Sequence, residues 1–401
     1  MKPSALKTNI LTVFLGIAQI YAWATTYYIP AAIMQIVPNE LHQNSLWVMG
    51  GISWALFVGG VFAPQIGAWI EAEGGRRPLT LGNVLMGLGL IGLSQTYHLF
   101  LWYVSWTLIG LGMALGLFNA LFATIGRLLG QEAKKVIIRI TLISGFATLL
   151  WPVTTYLIQM FGWRQMLIIY AIPHLVLFAP SVYLLIPSWI PKHETSEAPL
   201  NFQEKKKLKL MFYILASYIV LRSIVGTTIS IDILAMLKGL GLVLSSAAFV
   251  AALIGPSQIA GRILELYFGQ RFSPIHSAIF WTLMLPLSIL ALLFIGEKAA
   301  PIFSIIYGMS NGVLTITMGV LPLVLFGANG YAKRLGNLAM PTLIAQSITP
   351  LLLDPLIQSN SSRMIFTLCG ILGIFALLSM VLLYILVTRS SAESATEMVI
   401  D

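Results

Sequence analysis

The feature that most constrains this chain is its division into apolar stretches of membrane-spanning length. Roughly 20 apolar residues in helical form cross the ~30 Å hydrocarbon core of a bilayer. Stretches of that kind fall near 9–33, 46–70, 79–96, 99–128, 139–160, 166–187, 208–237, 243–265, 275–295, 300–326, 337–358 and 363–388. Hydrocarbon offers no partner to backbone N–H and C=O groups, so each stretch is expected to satisfy them internally as a helix. Composition agrees: 58% of the 401 residues are hydrophobic and 9% charged, against about 25% charged in soluble proteins. The expectation is an all-α integral membrane protein with twelve spans, its lipid bilayer being its first partner.

The first span follows Lys2 and Lys7 without a small-residue cleavage site, so it reads as a retained anchor. With the N-terminus in the cytoplasm, the 23 Lys and Arg residues fall on the cytoplasmic side except Arg164, Lys238, Lys298 and Arg363, outside, and Arg222, within a span. This satisfies the positive-inside rule and puts both termini in the cytoplasm. It also accounts for the net charge of +9 without nucleic acid. The basic run Glu204 to Lys209 reads as a juxtamembrane cluster facing anionic lipid. Cys369 is the single cysteine, which excludes a disulfide within the chain and a cysteine-type metal site.

A polar linker, 188–207, separates six spans (1–187) from six more (208–401). The halves echo each other. Sliding by 194 residues places Gly67, Glu71, Gly75 and Arg77 on Gly261, Glu265, Gly269 and Arg271, and sliding by 198 places Gly110 on Gly308. Parallel halves of six spans are a transporter pattern.

The segment Gly67-Ala-Trp-Ile-Glu71-Ala-Glu73-Gly74-Gly75-Arg76-Arg77, between the second and third spans, resembles the loop G-x-x-x-D-R-x-G-G/R-R-R of the major facilitator superfamily. The resemblance runs over nearly the whole chain. It implies two pseudo-symmetric six-helix bundles, a small-molecule substrate, no cofactor, a monomer, and the inner membrane of a bacterium. It also implies a cytoplasmic gate loop at Gly67, Glu71, Gly75, Arg76 and Arg77, echoed at Glu265 and Arg271. The carboxylate is expected to face a helix N-terminus. Two positions depart from the family pattern: its Asp is Glu71 and the following Arg is Ala72. The Arg that many proton-driven drug exporters carry before the Gly-x-Gly of the fourth span is Trp106 here, which disfavours proton-coupled drug export. Gln19 to Tyr28, Phe161 to Arg164 and Tyr307 to Gly312 look like bacterial members of a branch near the monocarboxylate and oxalate carriers. In that branch the position of Met318 is often Arg and that of Asn119 often acidic, so this chain would rely more heavily on Arg222.

The resemblance implies that the first, fourth, seventh and tenth spans line a central cavity. Arg222, near the middle of the seventh, cannot deprotonate, and a cation at the bilayer centre costs about 2.5 to 17 kcal/mol. It shares a helix face with Tyr218 and Gly226. One reading is a clamp for a carboxylate. The other is a structural Arg bonded to backbone carbonyls or to a fixed carboxylate. Gln19, Trp23 and Tyr27 recur every four residues as a polar-aromatic stripe, suited either to ligand contact or to packing. Asn311 and Asn119 are further substrate-binding candidates, or amides that join helices. Asp232 lies ten residues beyond Arg222, about 15 Å along the helix, too far for a direct pair. It is a proton-coupling candidate or a partner of Lys238 at the helix end. Asp354 carries the same ambiguity, and His174 is either a titrating group or a packed neutral ring.

There is no P-loop, no metal-ligand spacing and no nucleophile-base-acid set, so no enzyme is expected. The leading expectation is a secondary transporter of a small organic anion, with protons as the expected coupling ion. The alternatives are an exporter of amphipathic drugs, metallophores or toxic oxyanions, and a membrane receptor or sensor that does not transport.

Overall fold

The computed structural model describes residues 5–34, 36–188, 202–269, 271–358 and 362–400, with the side chains of 5–7, 148, 231–232, 354–358 and 389–400 left aside. Among the described residues there is no strand. The helices are α1 (Ala5–Ala22), α2 (Ile29–Ile33), α3 (Val37–Glu40), α4 (Ser45–Glu73), α5 (Arg76–Ser94), α6 (Leu99–Gly116), α7 (Phe118–Leu129), α8 (Ala133–Ser144) and α9 (Trp151–Pro173). There follow α10 (Ala179–Leu185), α11 (Phe202–Gly239), α12 (Leu244–Ala252), α13 (Ile254–Phe268), α14 (Pro274–Ile295), α15 (Ala300–Phe326), α16 (Tyr331–Gln358) and α17 (Ser362–Ile400).

Every expected span is helical. Two continuous apolar stretches each cover several of them, Leu99–Leu185 three and Pro274–Phe326 two. Several spans are made of two helices because the chain is interrupted inside the expected apolar run. The first holds a π-helical turn, Trp23–Tyr27, between α1 and α2. The fourth breaks at Leu117, whose extended backbone separates α6 from α7. The fifth passes through a 3₁₀ stretch, Gly145–Leu150, and the sixth through a second π turn, His174–Phe178. Within α9, Gly162 at φ +80° makes the turn that separates the fifth span from the sixth, a conformation favouring glycine.

By packing, the chain forms two compact units. One comprises Met1–His193 with Pro322–Ile348, the other Glu194–Leu321 with Thr349–Asp401. In the first, α4 packs against α16 with almost no space between the backbones. A Cβ added to Gly67 would lie 2.6 Å from the Ala332 carbonyl oxygen and 3.0 Å from Gly336 Cα. Residues Ala22, Ile29, Met86, Trp102, Trp106 and Met166 are among those that form its core. In the second unit, the core includes Val225, Ile229, Leu285, Phe303, Tyr307 and Phe366. There Gly261 meets the Met309 carbonyl and Gly308 the Ile254 carbonyl, each with no room for a side chain. The assignment of residues 322–348 to the first unit follows packing.

Candidate functional site

The loop that closes α4 is built in the first unit around Glu71. One carboxylate oxygen accepts from the Ala332 backbone N–H at 3.0 Å, in the first turn of the 28-residue helix α16. The unpaired amides and positive dipole end of a helix N-terminus stabilise such an anion by up to about 2 kcal/mol. Arg127 of α7 adds a cation: its Nε lies 3.6 Å from the other carboxylate oxygen and donates to the Glu71 backbone carbonyl at 3.2 Å. Glu71 thus lies against a helix N-terminus. Gly75 is packed so closely on Thr124 that no side chain fits there. Arg76 covers the Tyr183 ring at 3.8 Å, and Arg77 forms an exposed pair with Glu73 at 3.3 Å, a contact of little energetic weight. In the second unit the corresponding Glu265 is buried and accepts from the Ser277 hydroxyl at the start of α14, while Arg271 lies on the surface.

The stripe on the first span is reshaped by the π turn. Gln19 is 3% exposed and both ends of its amide are in use. Its Nε2 donates 2.7 Å to the Gly116 carbonyl at the end of α6, where helix termination leaves carbonyls without intrahelical partners. Its Oε1 accepts from the Trp23 indole N–H at 3.2 Å. Trp23 in turn touches Tyr27, ring centroids 5.0 Å apart, and Phe118, also at 5.0 Å. Gln19 therefore holds Trp23, while Trp23 and Tyr27 remain half-buried. Asn119 lines a void of about 20 Å³ with Gly67, Ala332 and Gly336, room for about one water.

His174 has no exposed surface. Its Nε2 lies 2.8 Å from the Thr25 hydroxyl and its Nδ1 3.1 Å from Asn83 Oδ1. Because the Asn83 amide nitrogen donates to the Leu79 carbonyl, Oδ1 is the acceptor and His174 Nδ1–H the donor. Both ring nitrogens are engaged, and the bond to Thr25 ties the π turn of the sixth span to that of the first.

Arg222 lies inside the second unit, 1% exposed. Its Nη2 donates to Ser310 Oγ of α15 at 3.2 Å. Ser310 passes its own proton to the Trp281 carbonyl of α14 at 2.7 Å, so a lone pair faces the guanidinium. Nε and Nη1 are buried with no hydrogen-bond partner. No carboxylate among the described residues pairs with Arg222. The titratable groups that act on it are Tyr218, Tyr307 and Cys369, all uncharged in their ordinary state. Tyr218, one turn before it, is fully buried and shares a hydrogen bond with Thr282 at 3.0 Å. Tyr307 donates to the Gly226 carbonyl at 3.3 Å, and a Cβ at Gly226 would sit 3.7 Å from Asn311 Oδ1. The structure thus brings Arg222, Tyr218 and Asn311 to one region of the second unit, and Gln19, Trp23 and Tyr27 to one region of the first. The side chains of Asp232 and Asp354 lie outside the described residues.

Sequence reasoning did not single out Arg127, Phe118, Thr282 or Ser310. Ser310 stands inside the glycine-flanked segment Tyr307 to Gly312, which was a usable signal. The contacts of Phe118 depend on the break at Leu117, for which the sequence gives none.

The sequence profile described as Major Facilitator Superfamily matches residues 13–330. Comparison with curated proteins gives no match. Among solved structures, the proton:xylose symporter XylE bound to 6-bromo-6-deoxy-D-glucose is similar, with 14% identity, a TM-score of 0.72 and 94% of each chain covered. The E. coli fucose:proton symporter FucP shares 14% identity and a TM-score of 0.64 over 93% of this chain and 99% of its own. The human organic anion transporter MFSD10 (TETRAN) shares 13% identity and a TM-score of 0.71 over 94% and 100%. At such identities the likeness is one of fold. The profile match over most of the chain and the twelve helical spans together mean that this multi-pass membrane protein, a secondary transporter and not an enzyme, belongs to the Major Facilitator Superfamily.

Proposed function

We propose that the chain transports a small carboxylate-bearing organic anion by alternating access of its six-span halves, 1–187 and 208–401, with protons as the coupling ion and Arg222 as the residue that holds the anion. The observation carrying this reading is the buried guanidinium with two nitrogens lacking partners. A buried donor left unmatched costs about 1–3 kcal/mol, more when charged, and a buried unpaired cation is strongly destabilising. An anionic ligand relieves both terms. A carboxylate suits it because guanidinium offers paired, parallel N–H groups. Tyr218 and Asn311 supply the neighbouring polar surface within the second unit.

One protein of the same fold is named an organic anion transporter and two are named proton symporters, which agrees with the class and the coupling. Asp232 and Asp354 are the carboxylates of this reading that exchange protons. His174, with both nitrogens engaged, is a structural group in it. The gate is the Glu71 loop, opened when the Glu71 to Ala332 contact is released, with Glu265 and Arg271 as its echo. The protein works as a monomer in a bacterial inner membrane with both termini cytoplasmic.

Reconstituted into proteoliposomes, the protein should take up radiolabelled short carboxylates under an inward proton gradient, and Arg222→Gln should abolish uptake while the protein still inserts and elutes as a single species. Full uptake by that variant sinks the proposal.

A further inference from the structure

The second unit carries a surface feature that the anion-holding role of Arg222 does not use. Within that unit α11 and α17 pack side by side, and a groove of about 520 Å³ lies along their seam, walled by Val220 and Leu221 of α11 and by Phe375 and Leu378 of α17. Its depth comes from two short side chains set among longer ones, Ser217 and Ser379. Both hydroxyl protons are already spent on the helix that carries them: Ser217 donates to the Tyr213 carbonyl at 3.0 Å, and Ser379 donates to the Phe375 carbonyl at 2.9 Å. The lining is therefore apolar in effect. Both helices are apolar enough over this stretch to cross a bilayer, with mean hydropathy 1.7 for Phe202–Ser230 and 2.7 for Ser362–Thr388. A groove of that lining at that depth suits a hydrocarbon chain and not a polar solute.

Any apolar face in a bilayer is wetted by lipid tails, and a groove alone does not choose among them. Charge makes the choice here. Lys206 precedes Ser217 by eleven residues, close to three full turns, so the two share one face of α11 and stand about 16 Å apart along its axis. Leu210 and Tyr213 continue that face between them, and both are exposed. The separation is close to half of the ~30 Å hydrocarbon core, so a tail descending from a headgroup at Lys206 reaches the groove. Lys205 and Lys209 are exposed beside Lys206, and the run holds four lysines against one glutamate, Glu204. Such a cluster at the end of a span attracts anionic headgroups. A second copy of the chain fits the groove less well. Two copies in one membrane present the same edge, so pairing through this face sets their lysine clusters side by side, and like charges across an interface oppose association.

We infer that the seam of α11 and α17 is a binding site for an anionic phospholipid, its acyl chain in the groove and its phosphate against Lys206, with Lys205 and Lys209 beside it. The inference does not depend on what Arg222 holds.

The test is lipid retention by the purified full chain, read by native mass spectrometry after incubation with equal amounts of phosphatidylglycerol and phosphatidylcholine bearing the same acyl chains. Wild type should retain phosphatidylglycerol in excess, and Lys206→Gln should lower that excess about fivefold with phosphatidylcholine unchanged. Lys135→Gln removes an exposed lysine of the first unit and should leave the ratio as it is. Ser379→Leu fills the groove and should reduce retention of both lipids, and Ser217→Leu does so from the opposite wall should the first variant fail to elute as a single species. Equal retention of the two lipids by wild type overturns the inference. So does an equal fall in Lys135→Gln and Lys206→Gln, which makes the attraction diffuse, or retention unchanged in both groove-filling variants. A mass of two copies that is lost in Ser379→Leu also overturns it, by giving the groove to a second chain.

Discussion

His174 and Arg222 are buried polar groups, one in each unit, with opposite hydrogen-bonding balances. Sliding the sequence by 199 residues places Asn83 on Thr282, and sliding by 195 places His174 on Cys369, so each unit holds polar side chains at matching positions of its third and sixth spans. In the first unit these groups satisfy one another: Thr25, His174 and Asn83 form a closed chain ending on the Leu79 carbonyl. In the second, Tyr218 and Thr282 pair, and Arg222 keeps two nitrogens unmatched. A closed network rigidifies, and an open one with a fixed charge costs free energy until something binds. The first unit thus holds a satisfied polar core and the second a buried cation with two unmatched donors.

The largest effect that tests this contrast is on transport. Arg222→Met should reduce anion uptake by about a hundredfold or more, since two charge-assisted hydrogen bonds of about 1.5–3 kcal/mol each are lost. The same variant should unfold no earlier than wild type without ligand, because replacing an uncompensated buried charge by an apolar side chain is neutral or stabilising; a clear fall in Tm would show that Arg222 is matched after all. Next is His174→Phe, which strands the Asn83 carbonyl oxygen while the Thr25 hydroxyl keeps the Tyr21 carbonyl. Unfolding in detergent should show a loss of about 1–3 kcal/mol, with substrate affinity of the folded fraction retained. A saturating carboxylate, at about 100 times its Kd, should stabilise wild type and His174→Phe alike by about 2.7 kcal/mol and leave Arg222→Met unmoved. Such stabilisation in Arg222→Met would place the anion elsewhere. The smallest effect is expected at Thr282→Val, which deprives the Tyr218 hydroxyl of a partner, at about 1 kcal/mol of stability, with anion affinity changed less than threefold in the same titration.

Much of the architecture was legible in the residues. Runs of about 20 apolar residues fix the number of spans because hydrocarbon thickness sets a length, and Gly67 marks backbones in close contact. The interruptions were less visible. π turns at Trp23–Tyr27 and His174–Phe178 leave no compositional trace, because a single extra residue in a turn preserves hydropathy. For that reason the i, i+4 spacing of Gln19, Trp23 and Tyr27 did not reveal that Gln19 holds the Trp23 indole. Gln19 had a partner 97 residues away at Gly116, which local spacing does not reveal. Glu71 was legible as an anion seeking a helix N-terminus, but Arg127 as its companion required the fourth span to return beside the second.

What the sequence by itself determined is depth: which residues lie in hydrocarbon, which at its edges, and that a permanent charge sits at Arg222 where burial is costly. What only the tertiary structure decided is direction and company. Side chains at equal depth become matched or unmatched according to which helix packs beside them, and hydrogen bonds are sensitive to tenths of an ångström and tens of degrees. Hydropathy averaged along a helix carries no such information, so it could mark His174 and Arg222 as buried polar groups but not tell the satisfied one from the one with unmatched donors.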